Sequence, residues 1–277
     1  MKKLCLIASI LPVFGCNHFE AKEPLENVTV ESPFRNDRKN ETASEKSYTQ
    51  RGLDLPLNHR INKEVPNEQI ENSTKSPLKG HTLLDVVLIS QNPELKFGCE
   101  VTSLAMMLHY AGVPTNKMDL YHAIEKDPDS LVKSPTGDIL HWGNPASGFV
   151  GDMTGRRPGY AVFDKPMINL INQKLPGRAV NLTGQPFEQI LQHVSNGFPV
   201  VVWTTGDFRL PDRWEAWNHG KEQIKTPLDL HVVLLVGYDA EYVYLNDPLS
   251  GRKHVKVDKR RFISTWHALQ SRAVSYK

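Results

Sequence analysis

One of the three cysteines in this chain stands where it could act as a nucleophile. Cys99 opens a segment that ends at Gly112, and its apolar residues are spaced three and four apart, as in a packed helix. The start of a helix offers unpaired N–H groups and the positive end of the helix dipole, which lower the pKa of a thiol. We therefore interpret Cys99 as a candidate nucleophile. The alternative is a buried, inert cysteine.

A catalytic thiol needs a base, and the base needs a third group that orients it. His231 begins a predicted strand that ends at Tyr238, and the next predicted strand, 242–246, leads directly to Asp247. If these two strands pair as a hairpin, Asp247 returns beside His231. The pattern predicts a Cys–His–Asp set for acyl transfer, with Asn246 as the alternative orienting residue.

Acyl transfer also requires donors for the oxyanion that forms on the substrate. The backbone N–H of Cys99 is one candidate donor, and the side-chain amide of Gln91, upstream of it, is the other.

Gly148 lies in a stretch rich in glycine and proline, 127–161, which we interpret as long loops that build a binding surface. Trp203 and Gly148 are our candidate substrate-cleft residues, and a core position is the alternative for Trp203.

The composition argues against nucleic acid and metal as partners. The formal charge is +2, and removal of Lys2 and Lys3 with a predicted export signal leaves zero, so no basic stripe is expected. The later histidines show no metal-ligand spacing with one another, and we predict no zinc site and no cofactor. These histidines are His141, His193, His219, His254 and His267.

The elements that must position these residues divide into helices followed by strands, which predicts an α+β fold with an antiparallel sheet. The periodicity predicts helices over 98–112, 120–125, 165–174, 187–196 and a last one that Asp258 caps and that reaches residue 270. It predicts strands over 86–89, 199–205, 231–238, 242–246 and 273–276.

The first sixteen residues, MKKLCLIASILPVFGC, are typical of an export signal, with two lysines, a short apolar stretch and a small residue before Cys16. We predict three parts: a lipoprotein signal at 1–15, a flexible polar tether at 16–80 that Cys16 anchors through lipid, and a globular domain at 81–277. The alternative is a plain secretory signal. Either way Cys99 remains unpaired outside the cell, where a free thiol invites oxidation unless it has a function.

Several motifs together resemble a known family. The segments SQNPELKFGCEVTSLAMMLHYAG, SGFVGDM, GFPVVVWTT, LHVVLLVGY and YLNDP are similar to bacterial papain-fold cysteine peptidases related to the bacteriocin-processing endopeptidases, over residues 81–277. The resemblance implies a papain-like fold with Cys99 on the central helix as nucleophile, His231 as base, Asp247 as orienter and Gln91 at the oxyanion hole. The Lys96-Phe97 pair departs from the family pattern. Because the chain has no exporter domain, cleavage after a double glycine is not carried over.

Three functions stay open at this point. The chain could hydrolyse peptide bonds of a protein or peptide, act on cell-wall peptide amides with the same catalytic set, or bind without catalysis. We expect the first, in a monomer held by lipid on the outer face of a bacterial membrane.

Overall fold

A computed structural model describes residues 78–277, and the helices and strands below are those of this range. The predicted signal, Cys16 and the predicted tether up to residue 77 lie outside the described residues. The helices are α1 (Cys99–Tyr110), α2 (Lys117–Ala123), α3 (Asp164–Lys174), α4 (Phe187–Ser195) and α5 (Lys259–Ala268). The strands are β1 (Thr82–Leu83), β2 (Lys126–Asp127), β3 (Val132–Lys133), β4 (Ile139–His141), β5 (Phe149–Val150), β6 (Ala179–Asn181), β7 (Val200–Thr205), β8 (Trp214–His219), β9 (Glu222–Pro227), β10 (Leu230–Tyr238), β11 (Tyr242–Asp247), β12 (Arg252–Asp258) and β13 (Ala273–Tyr276).

The main sheet is antiparallel and carries the predicted hairpin. Its strand order is β12-β11-β10-β7-β13-β6, and β1 pairs with β10. Alternate residues of β10 enter two apolar clusters: Val232 and Leu234 pack with α1, whereas Val233 packs with α4 and α5 on the opposite face. A strand that is buried on both faces reads as a continuous apolar run, which is how the sequence from 231 to 238 reads. The mixture of helices and antiparallel sheet agrees with the predicted α+β class.

Helix α1 is the central helix of the larger apolar cluster. Every residue from Cys99 to Leu108 is buried, so this part of the helix is enclosed on all sides. Ser103 Oγ donates a hydrogen bond of 3.3 Å to the carbonyl of Val232, which fixes α1 against β10. Gly112 follows the helix with a φ of 81°, a left-handed conformation that favours glycine after a helix end.

The stretch predicted as long loops contains short strands instead. β3, β4, β8 and β9 form a four-stranded sheet, and β2 pairs in parallel with β5. Strands of two or three residues are too short to show an alternating pattern, so turn residues dominate the sequence there. None of the helices within 78–277 is both long and apolar enough to span a bilayer.

The strand predicted over 86–89 is wrong. Val86 is fully buried, but its carbonyl accepts the side-chain amide of Asn246 at 3.0 Å rather than a strand ladder bond. The apolar run there signals burial, and a side chain satisfies the backbone.

Candidate active site

His231 and Asp247 form a buried pair at neighbouring strand ends. His231 lies opposite Thr204 in the β10–β7 pairing, and β11 returns to end at Asp247. Asp247 Oδ1 lies 2.8 Å from His231 Nε2, and the two residues are 5% and 3% exposed. This bond occupies Nε2 and leaves Nδ1 as the ring nitrogen that is available for a reacting group.

The carboxylate of Asp247 is held on both oxygens. Leu249 N–H donates to Oδ1 at 2.9 Å, and Ser250 Oγ donates to Oδ2 at 2.5 Å. Burial alone would raise the pKa of Asp247, but the hydrogen bonds and the charge of His231 lower it to about 2. Asp247 is therefore ionised at neutral pH and orients the imidazole.

Cys99 begins α1, and its neighbour Glu100 is a second buried carboxyl group. Cys99 Sγ donates to Glu100 Oε2 at 3.3 Å, while Glu100 Oε1 accepts the N–H of Val162 at 2.9 Å. Burial raises the pKa of Glu100 to about 7. In the sequence, an acidic residue such as Glu100 in the first turn is simply favourable at a helix start. Its position directly after a candidate nucleophile is the signal that could have marked it.

The pKa of Cys99 does not follow the expectation from the helix start. Burial, then the charge of Glu100 and the hydrogen bond to it, raise the pKa of the thiol well above its ordinary value. The N–H groups of Val232 and of Cys99 itself act in the opposite direction and are outweighed. With the thiol 7% exposed, desolvation is the dominant effect.

The structure brings Cys99 next to β10 without a hydrogen bond to His231. The Val232 N–H is close enough to affect the thiol, and Val232 directly follows His231 in the strand. Among the described residues, the hydrogen-bond partner of Cys99 Sγ is Glu100. The thiol is therefore neutral and lies against the strand position that follows His231.

Gln91 lies between the two halves of this site. Its N–H donates to the carbonyl of Pro248, which follows Asp247, and its side-chain Nε2 donates to the carbonyl of Lys96 at 2.8 Å. Gln91 is 2% exposed, and its Oε1 is buried without a hydrogen-bond partner within residues 78–277. The side-chain amide is held near the start of α1. Its Nε2 donates to the Lys96 carbonyl and does not face an open cleft.

Asn246, the alternative orienting residue, points elsewhere. Its Nδ2 donates to Val86, and its Oδ1 accepts the N–H of His254 at 3.2 Å. Asn246 therefore joins three chain segments, and Asp247 is the neighbour that meets His231.

Neither cleft candidate lies on an open groove. Trp203 is fully buried, and its Nε1 donates to the carbonyl of Val162 at 3.1 Å, which favours the core alternative. Gly148 packs so closely on β2 that an added Cβ would lie 2.6 Å from the backbone nitrogen of Asp127. Glycine is required there for close packing between strands rather than for a cleft.

Residues with metal-ligand chemistry meet at a different place. Asp127, Asp129 and His219 bring three ligand atoms within 4.8 Å of one another beside the four-stranded sheet. In the candidate active site the groups are a thiol, an imidazole, carboxyls and an amide, which suit nucleophilic acyl transfer.

Comparison with known proteins points in the same direction. The family model described as the Peptidase_C39-like family matches residues 83–274. The uncharacterized protein YvpB of Bacillus subtilis strain 168 is 35% identical over 227 residues, which cover 80% of this chain and 88% of YvpB. A crystal structure of a candidate C39-like peptidase from Bacillus anthracis is 38% identical, with a TM-score of 0.65, and covers 72% of this chain and 98% of that one.

Proposed function

Because the chain belongs to the Peptidase_C39-like family, we propose that it is a cysteine peptidase that hydrolyses peptide bonds of proteins or peptides. The observation that carries the proposal is the buried His231–Asp247 pair of 2.8 Å, on the strand that packs against the helix beginning at Cys99. In this scheme Cys99 is the nucleophile, His231 the base and Asp247 the residue that orients it.

The chemistry follows from these groups. Cys99 Sγ attacks the carbonyl carbon of the scissile bond and transfers its proton to His231 Nδ1. The imidazolium then protonates the leaving amine, which leaves a thioester, and His231 next takes a proton from the water that hydrolyses this ester. Asp247 stabilises the imidazolium, since its carboxylate stays ionised throughout.

The oxyanion would be stabilised by the Cys99 N–H and the Gln91 amide. Gln91 Nε2 now donates to Lys96, so it must exchange that carbonyl for the oxyanion as the substrate enters. Removing one such donor in other acyl-transfer enzymes costs about 10²–10³ in rate. We expect a loss of this order for Gln91→Ala.

Glu100 explains how the thiol is kept inactive without substrate. A neutral thiol bonded to a carboxylate is a poor nucleophile, and it also resists oxidation. Because burial is the largest cause of the raised thiol pKa, any rearrangement that hydrates Cys99 would favour the thiolate.

We further propose that the enzyme acts outside the cell, anchored by lipid on Cys16 to the outer face of the membrane, as a monomer. The support is the sequence pattern of the first sixteen residues. Mass spectrometry of the membrane fraction should find an acylated N-terminal Cys16, and Cys16→Ala should release the chain. A soluble chain that starts elsewhere would refute the anchor and leave the active site untouched.

The test of the activity uses the full chain, and Cys99→Ala as its inactive counterpart. Denatured protein and purified peptidoglycan are incubated separately, and new N-termini are identified by mass spectrometry. New peptide N-termini in the protein arm, absent with Cys99→Ala, are expected. Cleavage of peptidoglycan alone would reassign the substrate to cell-wall peptides, and equal cleavage by both forms of the chain would refute the role of Cys99.

A further inference from the structure

Two aspartates and a histidine that have no role in the proposed reaction converge on one point of the structure. Asp127 ends β2, Asp129 follows two residues later, and His219 ends β8. His219 Nε2 lies 3.2 Å from Asp127 Oδ2 and 3.5 Å from Asp129 Oδ2. One imidazole nitrogen thus faces two carboxylate oxygens at once.

The first of these carboxylates is held rigidly. The Asp127 side chain is 3% exposed, and its oxygens accept the N–H groups of Asn144 at 3.1 Å and of Asp129 at 3.0 Å. Gly143 makes room for it, because a Cβ there would lie 2.8 Å from Asp127 Oδ1. A preorganised, nearly buried carboxylate is what a metal site requires of a ligand.

The hydrogen-bonding capacity of this cluster is limited. The Nε2 atom of His219 carries at most one proton and can donate it to only one of the two carboxylates that it faces. His141 approaches from the neighbouring strand, with its Nε2 3.0 Å from Asp129 Oδ2. The nearby Lys126 directs its ammonium to the carbonyls of Tyr121 and Ile124 instead. A dication between the three ligand atoms would interact with both carboxylates and with His219 Nε2 at the same time.

The two separations measured from His219 fit a tetrahedral zinc site. With metal–ligand bonds of about 2.0–2.1 Å, a tetrahedral zinc site places its ligand atoms about 3.3 Å apart. The two separations from His219 Nε2, 3.2 and 3.5 Å, lie on either side of that value. Calcium is less suited, because it prefers six to eight oxygen ligands.

We propose that Asp127, Asp129 and His219 bind one Zn²⁺ ion, with a fourth position filled by water. His141 bonds to Asp129 from outside the triad and would fix the orientation of that ligand, as partners of metal ligands commonly do. The two carboxylate residues line a cavity of about 340 Å³, together with Arg157 and Pro158, through which an ion could reach them.

The position in the fold indicates a structural role for the ion. It would join the segment after β2 to the hairpin of β8 and β9, and β9 runs within three residues into β10. Tyr160 fixes the same region, since its hydroxyl bonds to Thr226 Oγ1 at 2.5 Å and to the carbonyl of Pro227 at 2.7 Å. The strand pairing of β4 with β8 brings His141 and His219 together, which no local sequence spacing could reveal.

The experiment measures Zn²⁺ binding to the full chain in a Cys99→Ala background, because a thiolate beside an imidazole can itself bind zinc. After chelation and dialysis, isothermal titration calorimetry with Zn²⁺ alone should give one site per chain. The midpoint of thermal unfolding should rise by about 5–10 °C at a hundredfold excess over Kd. Ca²⁺ at the same concentration should produce neither change.

Two partly exposed ligands provide the decisive variants. Asp129→Asn and His219→Gln should each weaken Zn²⁺ binding at least about tenfold, and His141→Gln should weaken it less. Asp138→Asn, in the turn between β3 and β4, and His267→Gln, on α5, are the matched controls and should bind like the parent. Circular dichroism confirms that each variant is folded. Binding that is absent in the parent, or that survives both ligand variants unchanged, would overturn the proposal.

Discussion

Two buried carboxyl groups flank the candidate active site, and they differ in almost everything except chemical type. Asp247 lies at the end of β11 with an imidazole, a backbone N–H and a hydroxyl around it, and its pKa falls to about 2. Glu100 lies in the first turn of α1 with a thiol and one backbone N–H, and its pKa rises to about 7. Both side chains are withdrawn from water. The number and charge of their partners decide which of them is ionised.

The difference assigns opposite effects to the two carboxyls. Asp247 favours the charged form of His231, whereas an ionised Glu100 disfavours the charged form of Cys99. Asp247 therefore favours the thiolate–imidazolium pair, and Glu100 disfavours it. Substitutions at each carboxyl should separate these effects.

The largest effect is expected at Asp247. In Asp247→Asn the amide keeps the shape but loses the charge that stabilises the imidazolium, so kcat/KM on a cleaved peptide should fall at least about 100-fold. Expressed as free energy, the change in unfolding should be much smaller than the change in kcat/KM. Urea denaturation would measure it.

Asn246→Ala is the matched comparison on the adjacent residue. It leaves the His254 N–H and the Val86 carbonyl unpaired, so the free energy of unfolding should fall by about 1–3 kcal/mol. The activity per folded molecule should be retained. If Asn246→Ala were the severe change in rate and Asp247→Asn nearly silent, the orienting residue would be Asn246.

A smaller effect is expected at Glu100, where the substitution should make the Cys99 thiol easier to ionise. Glu100→Gln removes a negative charge beside the thiol and keeps an acceptor for Val162 N–H, so the pKa of Cys99 should fall toward the ordinary thiol value. The pH dependence of alkylation by iodoacetamide measures this shift. An unchanged profile would mean that Glu100 does not control the thiol.

The same variant tests the linkage between protonation and stability. The folded-state pKa of Glu100 is raised from 4.5 to about 7, so its protonated form stabilises the fold below pH 4.5 and this contribution is lost as the pH rises through 7. The loss should be about 3 kcal/mol in the free energy of unfolding. Glu100→Gln cannot ionise, and its stability should not show this fall. Parallel stability curves for the two proteins would contradict the raised pKa.

The smallest effect is expected at Ser250. Ser250→Ala removes one hydrogen bond to Asp247 but leaves those from His231 and Leu249, so kcat/KM should fall only a few-fold. Ser264→Ala is the control, since that hydroxyl bonds to a carbonyl on the exposed side of α5. A loss as large as that of Asp247→Asn would show that Ser250 acts in the reaction itself.

The sequence predicted the helices and strands that carry this site better than it predicted the pKa values of the groups in it. The five helices and the strands β7, β10, β11 and β13 were predicted to within a few residues at their ends, because period and burial coincide, as in α1 and β10. The exposed strands β8, β9 and β12 were not predicted, although each has six or seven residues. The pairing that joins His231 to Asp247 followed from the hairpin. The short strands between 126 and 150 were missed, because two-residue strands carry no period.

Burial by distant segments explains what the sequence could not predict. The raised pKa values of Cys99 and Glu100 come from desolvation, and Val162, which bonds to Glu100, is 62 positions away in the chain. Trp203 has the character of a cleft residue in sequence, yet its neighbours in space enclose it completely. The meeting of His219 with Asp127 likewise depends on strand pairing across the chain.

The central claim, that Cys99 and His231 act as one unit, is tested most directly by the alkylation rate of Cys99 between pH 4 and 10. Mass spectrometry of the tryptic peptide 97–117 follows Cys99 apart from Cys5 and Cys16. We expect the rate to rise at lower pH in the parent than in His231→Ala, because a positive charge on His231 would offset the effects of burial and Glu100 on the thiolate. His193→Ala, at a histidine bonded to the carbonyl of Tyr276, should match the parent. Superimposable curves for the parent and His231→Ala would contradict the pairing.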